Sequence, residues 1–187
     1  KKSNTMAKKT TTAAKSTQKS STSNADALNT GISNTNSKKV AQALNQLLSD
    51  EYVLYTKTLK FHWNIEGNNF HALHLFLEEQ YQQLQIIIDS VAERVRKIGH
   101  FAYGSMSEFL KNASLKEHQA DARVSESMIT ELVQDHETLI RNTRELIDEF
   151  EEKCDDKGSA DFITGIMKEH EKMAWMLRAS VPGSSRS

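Results

Sequence analysis

Five side chains that could bind a metal ion lie within one stretch of the chain, between residues 61 and 93. His74 and Glu78 are four residues apart, and so are Asp89 and Glu93, so on a helix each pair would lie on adjacent turns and could bind one ion. His62 precedes both pairs, across a short turn. Imidazole nitrogens and carboxylate oxygens together suit Fe(II) or Mn(II), and Zn(II) can occupy the same set. Because the oxidised, harder iron ion prefers oxygen, this set favours oxidation chemistry over hydrolysis.

A single helix cannot bring the two pairs to one ion. With about 100° and 1.5 Å per residue, and Leu77 of the apolar seam set to zero, all four residues fall between about 60° and 160°, on one flank beside the seam. Along the axis, however, Glu78 and Asp89 are about 16 Å apart. One chain therefore offers two half-sites. If two copies pack antiparallel about a two-fold axis, the His74/Glu78 half of one meets the Asp89/Glu93 half of the other, and the dimer holds two equivalent sites.

The alternative to a metal site is an ordinary solvent-exposed helix surface, which would explain either pair taken alone. Their alignment on one flank, next to His62, is what favours a metal site over that alternative. With His62 included, the complete shell would be two imidazoles and three carboxylates.

The rest of the sequence predicts a helical bundle that would present this stretch. Seven glycines and one proline leave long segments free of helix breakers. Apolar residues recur three and four apart over four long segments, which predicts helices at about 37–62, 70–98, 122–153 and 159–180. The connection between the second and third is long and predicts a short helix at 106–111. The fold class is therefore all-α, a ferritin-like four-helix bundle with a short helix in the connection between helices 2 and 3.

Charge separates a basic tail from an acidic body. Residues 1–37 carry six lysines and one aspartate, so the rest of the chain has a net charge of −6, because the total is −1. This Lys/Ser/Thr-rich segment has no aromatic residue and is predicted to be disordered. Residues 38–180 would form the domain and 181–187 a short C-terminal tail. The basic residues could bind DNA phosphates without sequence preference, or serve only solubility; they are Lys1, Lys2, Lys8, Lys9, Lys15, Lys19, Lys38 and Lys39.

Composition also bears on the compartment. The lone cysteine, Cys154, excludes an internal disulfide and a cysteine-based zinc site. No apolar run approaches the roughly 20 residues that cross a bilayer, and the basic start lacks the apolar segment of a signal peptide. We therefore expect a cytoplasmic protein with no membrane partner, associated with the nucleoid if it binds DNA.

One motif carries a resemblance to a known family. HWN-x-x-G-x-x-F-x-x-LH, followed by Glu78 and by D-x-x-x-E-R, resembles the Dps family of miniferritins, the DNA-binding proteins from starved cells, over roughly residues 38–179. The resemblance implies a di-iron ferroxidase centre shared between two-fold-related subunits, with Glu78 standing where some members have Asp. Its implied ligands are His62, His74, Glu78, Asp89 and Glu93. It also implies an acidic pore for iron uptake at a three-fold axis, to which Asp155, Asp156 and Asp161 would contribute.

The resemblance further implies a hollow dodecamer that oxidises Fe(II), preferably with hydrogen peroxide, stores ferric mineral and protects DNA. An enzyme of this kind, a ferroxidase and iron store, is the leading prediction. No Glu is followed three residues later by His, so the Glu-x-x-His signature of di-iron sites inside bundles is absent. Two alternatives stay open: a non-specific DNA-compacting shell protein with a weak or structural metal site, and a plain helical bundle. The choice between peroxide and oxygen and the oligomer number are also left open.

Overall fold

The computed structural model describes residues 28–118 and 125–180, and every regular element in these ranges is helical. Helices α1 (Asn34–Asn64) and α2 (Phe70–Lys97) pack as one antiparallel pair, and α4 (Ser125–Asp148) and α5 (Lys157–Ser180) as the other. The short α3 (Met106–Asn112) lies in the long connection between the two pairs. The predicted four-helix bundle is confirmed. None of the helices in the described ranges has the length and apolar character needed to span a bilayer.

Helix α1 begins three residues before the predicted start. Its cap is Ser33, whose hydroxyl oxygen accepts a hydrogen bond from the Asn36 backbone N–H at 3.2 Å. Ser37, at the predicted start, is not the cap: its hydroxyl group lies inside the first turn and donates to the Asn34 carbonyl. Most of the predicted N-terminal tail (residues 1–27) and the C-terminal tail (181–187) lie outside the described residues.

The core lies between the two helix pairs and includes the predicted seam of α2. Burying one such aliphatic side chain contributes about 1.5–3 kcal/mol, so together they fix which flank of α2 faces away from the core. The fully buried members of that seam are Leu77, Leu84, Val91 and Val95.

The first part of the long connection, up to residue 118, packs against α1. The ring of Phe109 on α3 stacks on Tyr52 of α1, with ring centroids 3.9 Å apart. Further along, the buried Asp50 carboxylate accepts hydrogen bonds from the backbone N–H groups of Ser114 and Leu115 at 2.6 and 2.8 Å. Burial raises the pKa of Asp50. These contacts join α3 and its flanking chain to the first helix pair.

The end of the second pair departs from regular helix. After Asp148 the chain makes a π-helical turn, Glu149–Lys153, and Asp155 then adopts a left-handed φ of 53°. The predicted third helix therefore reaches residue 153 only with this change of winding, and its first predicted residues, 122–124, lie outside the described ranges. Helix α5 starts at Lys157, two residues earlier than predicted.

Candidate metal centre

His62 and His74 form a closely held pair where α1 ends and α2 begins. Their rings stack with centroids 3.8 Å apart and an interplanar angle of 19°. His62 Nδ1 lies 2.8 Å from the His74 backbone oxygen, and His74 Nδ1 lies 2.8 Å from the His62 backbone oxygen. Because a carbonyl oxygen can only accept, each Nδ1 carries the hydrogen and each Nε2 retains a lone pair. This pair of bonds, the reciprocal histidine lock, leaves two nitrogens available for a metal ion.

The turn between the two helices makes the lock possible. Gly67 adopts a φ of 111°, a conformation that a residue with a Cβ rarely takes, and its carbonyl accepts the Phe70 N–H at 3.0 Å. Ile65 is buried and anchors the end of α1. The Tyr81 ring packs against His62 in an edge-to-face arrangement, with ring centroids 5.2 Å apart. The chain thereby reverses within a few residues, with both imidazoles on the same side.

Glu78 lies one turn after His74 on α2 and is partly buried. Its Oε1 is 3.4 Å from both the Tyr81 hydroxyl and the Gln82 side-chain nitrogen, at the long end of the hydrogen-bond range. Burial, and then the negative charge of Glu78, raises the pKa of Tyr81. The Glu78 carboxylate is therefore only weakly held within the chain.

Asp89 and Glu93 lie three and four turns further along α2, and both are exposed. Glu93 accepts a hydrogen bond from the Lys97 ammonium group at 2.8 Å; that bond, and then the positive charge, lowers the pKa of Glu93. Within residues 28–118 and 125–180, no group of three or more His, Cys, Asp or Glu side chains is arranged to hold a metal ion. The structure thus brings His62 and His74 together, with Glu78 one turn further along α2, and leaves Asp89 and Glu93 apart from them.

The same flank of α2 carries exposed apolar side chains. Leu75 is 45 % exposed and Ile86 is 60 % exposed, and on the helix both project within about 60° of Asp89. Single exposed apolar residues are common on protein surfaces, so these two alone do not identify a contact surface. The donor set itself, two imidazole Nε2 atoms and up to three carboxylates, fits iron, provided that a second copy supplies the distant pair.

The three aspartates predicted to line a pore separate into two kinds. Asp155 and Asp161 are exposed near the start of α5. Asp156 is only 2 % exposed, and its oxygens accept hydrogen bonds from Arg94 at 3.2 Å and from the Ser159 hydroxyl at 2.6 Å. Asp156 therefore does not belong to an acidic surface, which corrects the prediction for that residue. The predicted DNA contacts Lys8, Lys9, Lys15 and Lys19 lie outside the described residues.

A second histidine pair lies in the core, together with a buried glutamate. His136 and His170 are 1 % and 0 % exposed, with their Nδ1 atoms 2.9 Å apart. His170 Nε2 lies 2.8 Å from Oε1 of Glu51, which is fully buried on α1. Burial, and then the nearby His170, lowers the pKa of His136 well below 6.5. Helical spacing does place Glu51 on the buried face of α1, because Leu44, Leu48 and Leu54 lie seven and three residues away and all are buried.

The two antiparallel helix pairs, with histidines and carboxylates on the outer flank of α2, define a ferritin-like protein. In agreement, the family model for the ferritin-like domain matches residues 41–181. The chain is 46 % identical over 156 residues to an uncharacterized low temperature-induced protein of Nostoc, an alignment that covers 83 % of this chain and 87 % of the relative.

Named relatives narrow the class. DNA protection during starvation protein 2 of Bacillus anthracis is 36 % identical over 142 residues, covering 76 % of this chain and 96 % of that protein. The crystal structure of the Dps protein from Vibrio cholerae, described as a member of a broad superfamily of ferritin-like diiron-carboxylate proteins, superposes with a TM-score of 0.77 at 37 % identity. That match covers 84 % of this chain and 98 % of the Vibrio chain. The chain belongs to the Dps family.

Proposed function

We propose that this chain is the subunit of a ferroxidase and iron-storage shell, whose oxidation site forms between two copies. The observation that carries the proposal is the reciprocal histidine lock, which holds two imidazoles together and keeps both Nε2 lone pairs free. The diiron-carboxylate superfamily named for the Vibrio cholerae relative supports iron as the metal. Iron here is the substrate of the site.

The site is completed by a partner copy in this proposal. Glu78 and Asp89 lie about 16 Å apart along α2, too far to share an ion within one chain. Antiparallel packing of two α2 flanks would bring His62, His74 and Glu78 of one copy to Asp89 and Glu93 of the other. The exposed Leu75 and Ile86 supply apolar contact area between the two sites. Further contacts between such dimers would close a hollow shell of twelve subunits.

The proposed reaction removes Fe(II) and peroxide together. Two Fe(II) ions each lose one electron, and hydrogen peroxide accepts both electrons with two protons to give two water molecules. The carboxylates of Glu78, Asp89 and Glu93 bind iron in both oxidation states, while the two histidines favour binding of Fe(II). Asp155 and Asp161 would attract Fe(II) towards the shell electrostatically. The ferric product would be stored inside.

Removing the histidine lock tests this function. The His62→Ala/His74→Ala double variant should oxidise Fe(II) with peroxide at least about 100-fold more slowly than the parent in stopped-flow measurements, because two of the five ligands are lost. His71→Ala is the matched control, since His71 is exposed beside the lock, and it should stay within about twofold. Repeating the assay with oxygen tests the preference for peroxide. An unimpaired double variant, or a native mass near that of one chain, would contradict the shared site.

Binding of DNA by the lysine-rich tail is a second proposed activity, supported by the name of the Bacillus anthracis relative. Removing residues 1–27 takes away six lysines and leaves the Ser33 cap of α1 in place. The truncated protein should lose salt-sensitive DNA retention in gel-shift assays and oxidise Fe(II) at the parental rate, because phosphate contacts dominate such binding. DNA retention that persists unchanged would assign any binding to the helical body instead.

A further inference from the structure

Arg94 connects the carboxylate end of the proposed site to the start of α5. It follows Glu93 directly, and its guanidinium donates from Nε to the Ser159 hydroxyl at 3.0 Å and from Nη2 to Asp156 Oδ1 at 3.2 Å. Both acceptors are buried, Asp156 at 2 % exposed and Ser159 at 0 %. A buried carboxylate that loses its cation is strongly destabilised, so this contact persists in preference to solvation by water. These three residues form what we call the Arg94 clamp.

The backbone conformation before α5 places the acceptors of the Arg94 clamp. The left-handed φ of 53° at Asp155 turns the next carboxylate inward, directly after the π-helical turn. Asp156 also accepts the Ser159 N–H at 2.9 Å, so the same carboxylate caps α5 and binds Arg94. At Gly158, a Cβ would lie 2.9 Å from Arg94 Nη2, closer than real Cβ atoms approach. Because residue 158 has no side chain, the guanidinium can occupy the space beside it.

The carboxylates beside the clamp depend on how α2 is rotated about its axis. Asp89 and Glu93 are exposed, and Glu93 bonds to Lys97, whose side chain is itself 62 % exposed. A rotation of about 10° moves a side-chain tip that lies about 5–6 Å from the helix axis by about 1 Å. Metal–ligand distances tolerate about 0.2 Å. A small rotation of α2 would thus misplace both carboxylates relative to a metal ion held by the histidine lock of a partner.

We propose that Arg94 is a positioning residue, which fixes the rotation of α2 so that Asp89 and Glu93 meet the half-site of the partner copy. The inference rests on the proposed function, because it concerns the same shared site. The guanidinium suits this role, since its planar fork reaches Asp156 and Ser159 together, whereas a lysine ammonium reaches them only as a single point charge.

Titration of the assembled protein with Co(II), followed by visible absorption, tests the inference without relying on turnover. Arg94→Lys should weaken Co(II) binding about tenfold and alter the absorption spectrum, with native mass and helix content unchanged. Arg144→Lys is the matched control: Arg144 bonds to Glu171 at 2.8 Å between α4 and α5, away from the site, and its replacement should leave Co(II) affinity within about twofold. If Arg94→Lys lowers only the unfolding midpoint and leaves Co(II) binding unchanged, Arg94 has a merely structural role and the inference fails.

A cycle of variants shows whether Arg94 acts through its neighbouring carboxylates. In an Asp89→Ala/Glu93→Ala background, Arg94→Lys should cause no further loss of Co(II) affinity, and a second tenfold loss would overturn the inference. Should Arg94→Lys fail to assemble, Ser159→Ala serves instead, because it keeps the arginine but removes the acceptor of its Nε–H; parental Co(II) affinity in that variant would also overturn the inference. Parental protein that binds no Co(II) would overturn the proposed function together with this inference. Parental protein that binds Co(II) with the same affinity as Arg94→Lys overturns the positioning role alone.

Discussion

Two clusters in this chain contain the same kinds of side chain, two histidines and a glutamate, yet their ligand atoms are used differently. In the core, His170 contacts Glu51 through Nε2 at 2.8 Å and His136 through Nδ1 at 2.9 Å, so both of its ring nitrogens are engaged within the protein. At the flank of α2, His62 and His74 use their Nδ1 atoms only, on backbone carbonyls. Residue types alone would not separate the two clusters.

The difference lies in the partner of each ring nitrogen. A carbonyl oxygen accepts and cannot donate, so it fixes the hydrogen on Nδ1 and leaves the Nε2 lone pair free for a metal ion. In the core, the Nδ1 atoms of His136 and His170 must share one hydrogen between them, and the fully buried Glu51 carboxylate requires a hydrogen-bond donor. The core cluster therefore engages both ring nitrogens of His170 within the protein, although Oε2 of Glu51 has no hydrogen-bond partner among the described residues. Its role is in stability, whereas the flank cluster holds its nitrogens ready for an external ion.

Replacing the glutamate of each cluster by glutamine should separate these roles. We expect these two variants to show the largest changes in stability and in Fe(II) oxidation. Glu51→Gln removes the buried charge beside His170 and should lower the free energy of unfolding by about 2–3 kcal/mol in urea titrations at fixed protein concentration. Fe(II) oxidation by the assembled variant should stay within about twofold of the parent. Glu78→Gln should leave stability within about 0.5 kcal/mol, because the residue is partly exposed and weakly bonded, and should slow Fe(II) oxidation about 100-fold.

Exchanged effects, or the same effect in both variants, would contradict these two roles. Slow Fe(II) oxidation in a well-assembled Glu51→Gln protein would give the core cluster a part in the reaction. Fast oxidation in Glu78→Gln would remove Glu78 from the ligand set.

Much of the fold could be predicted because its causes are local. The recurrence of apolar residues three and four apart predicts α2 almost to the residue, and Gly99, with a φ of 90°, follows its end. The structure departs from the prediction at helix ends, where contacts with the rest of the chain determine the conformation. Ser33 and Ser37 are equally good caps in isolation, and the Asp155–Gly158 run indicates a break without showing which aspartate turns inward. That choice depends on Arg94, 62 residues away in sequence.

The candidate site was predictable to the same extent and for the same reason. Helical spacing predicts that His74, Glu78, Asp89 and Glu93 share one flank, because that follows from about 100° per residue. The reciprocal histidine lock could not be predicted, since it depends on how the Gly67 turn places two backbone carbonyls. Glu51 was missed as well, although buried Leu48 and Leu54, three residues to either side, place it on the core face of α1. What no local pattern in α1 encodes is its partner, His170 on α5.

A smaller effect, on the pH dependence of the free energy of unfolding, should further distinguish the core histidines from the flank pair. The pKa of His136 lies well below 6.5 in the folded protein, because of burial and then the nearby His170, and returns to about 6.5 on unfolding. Between these two values the unfolded chain binds a proton that the folded chain does not, so the free energy of unfolding falls as pH decreases below about 6.5, by up to about 1.4 kcal/mol per pH unit.

In His136→Asn, an amide oxygen can replace Nδ1 as the acceptor and does not titrate in this range, so the fall with decreasing pH should be shallower than in the parent. Urea titrations at fixed protein concentration from pH 7.5 to pH 5 measure this slope, with His71→Asn as the control, because His71 is exposed and lies outside the core cluster. Equal slopes in the parent and His136→Asn would show that another group causes the sensitivity to acid. Acid sensitivity would then not distinguish His136 from the flank pair, and burial alone would.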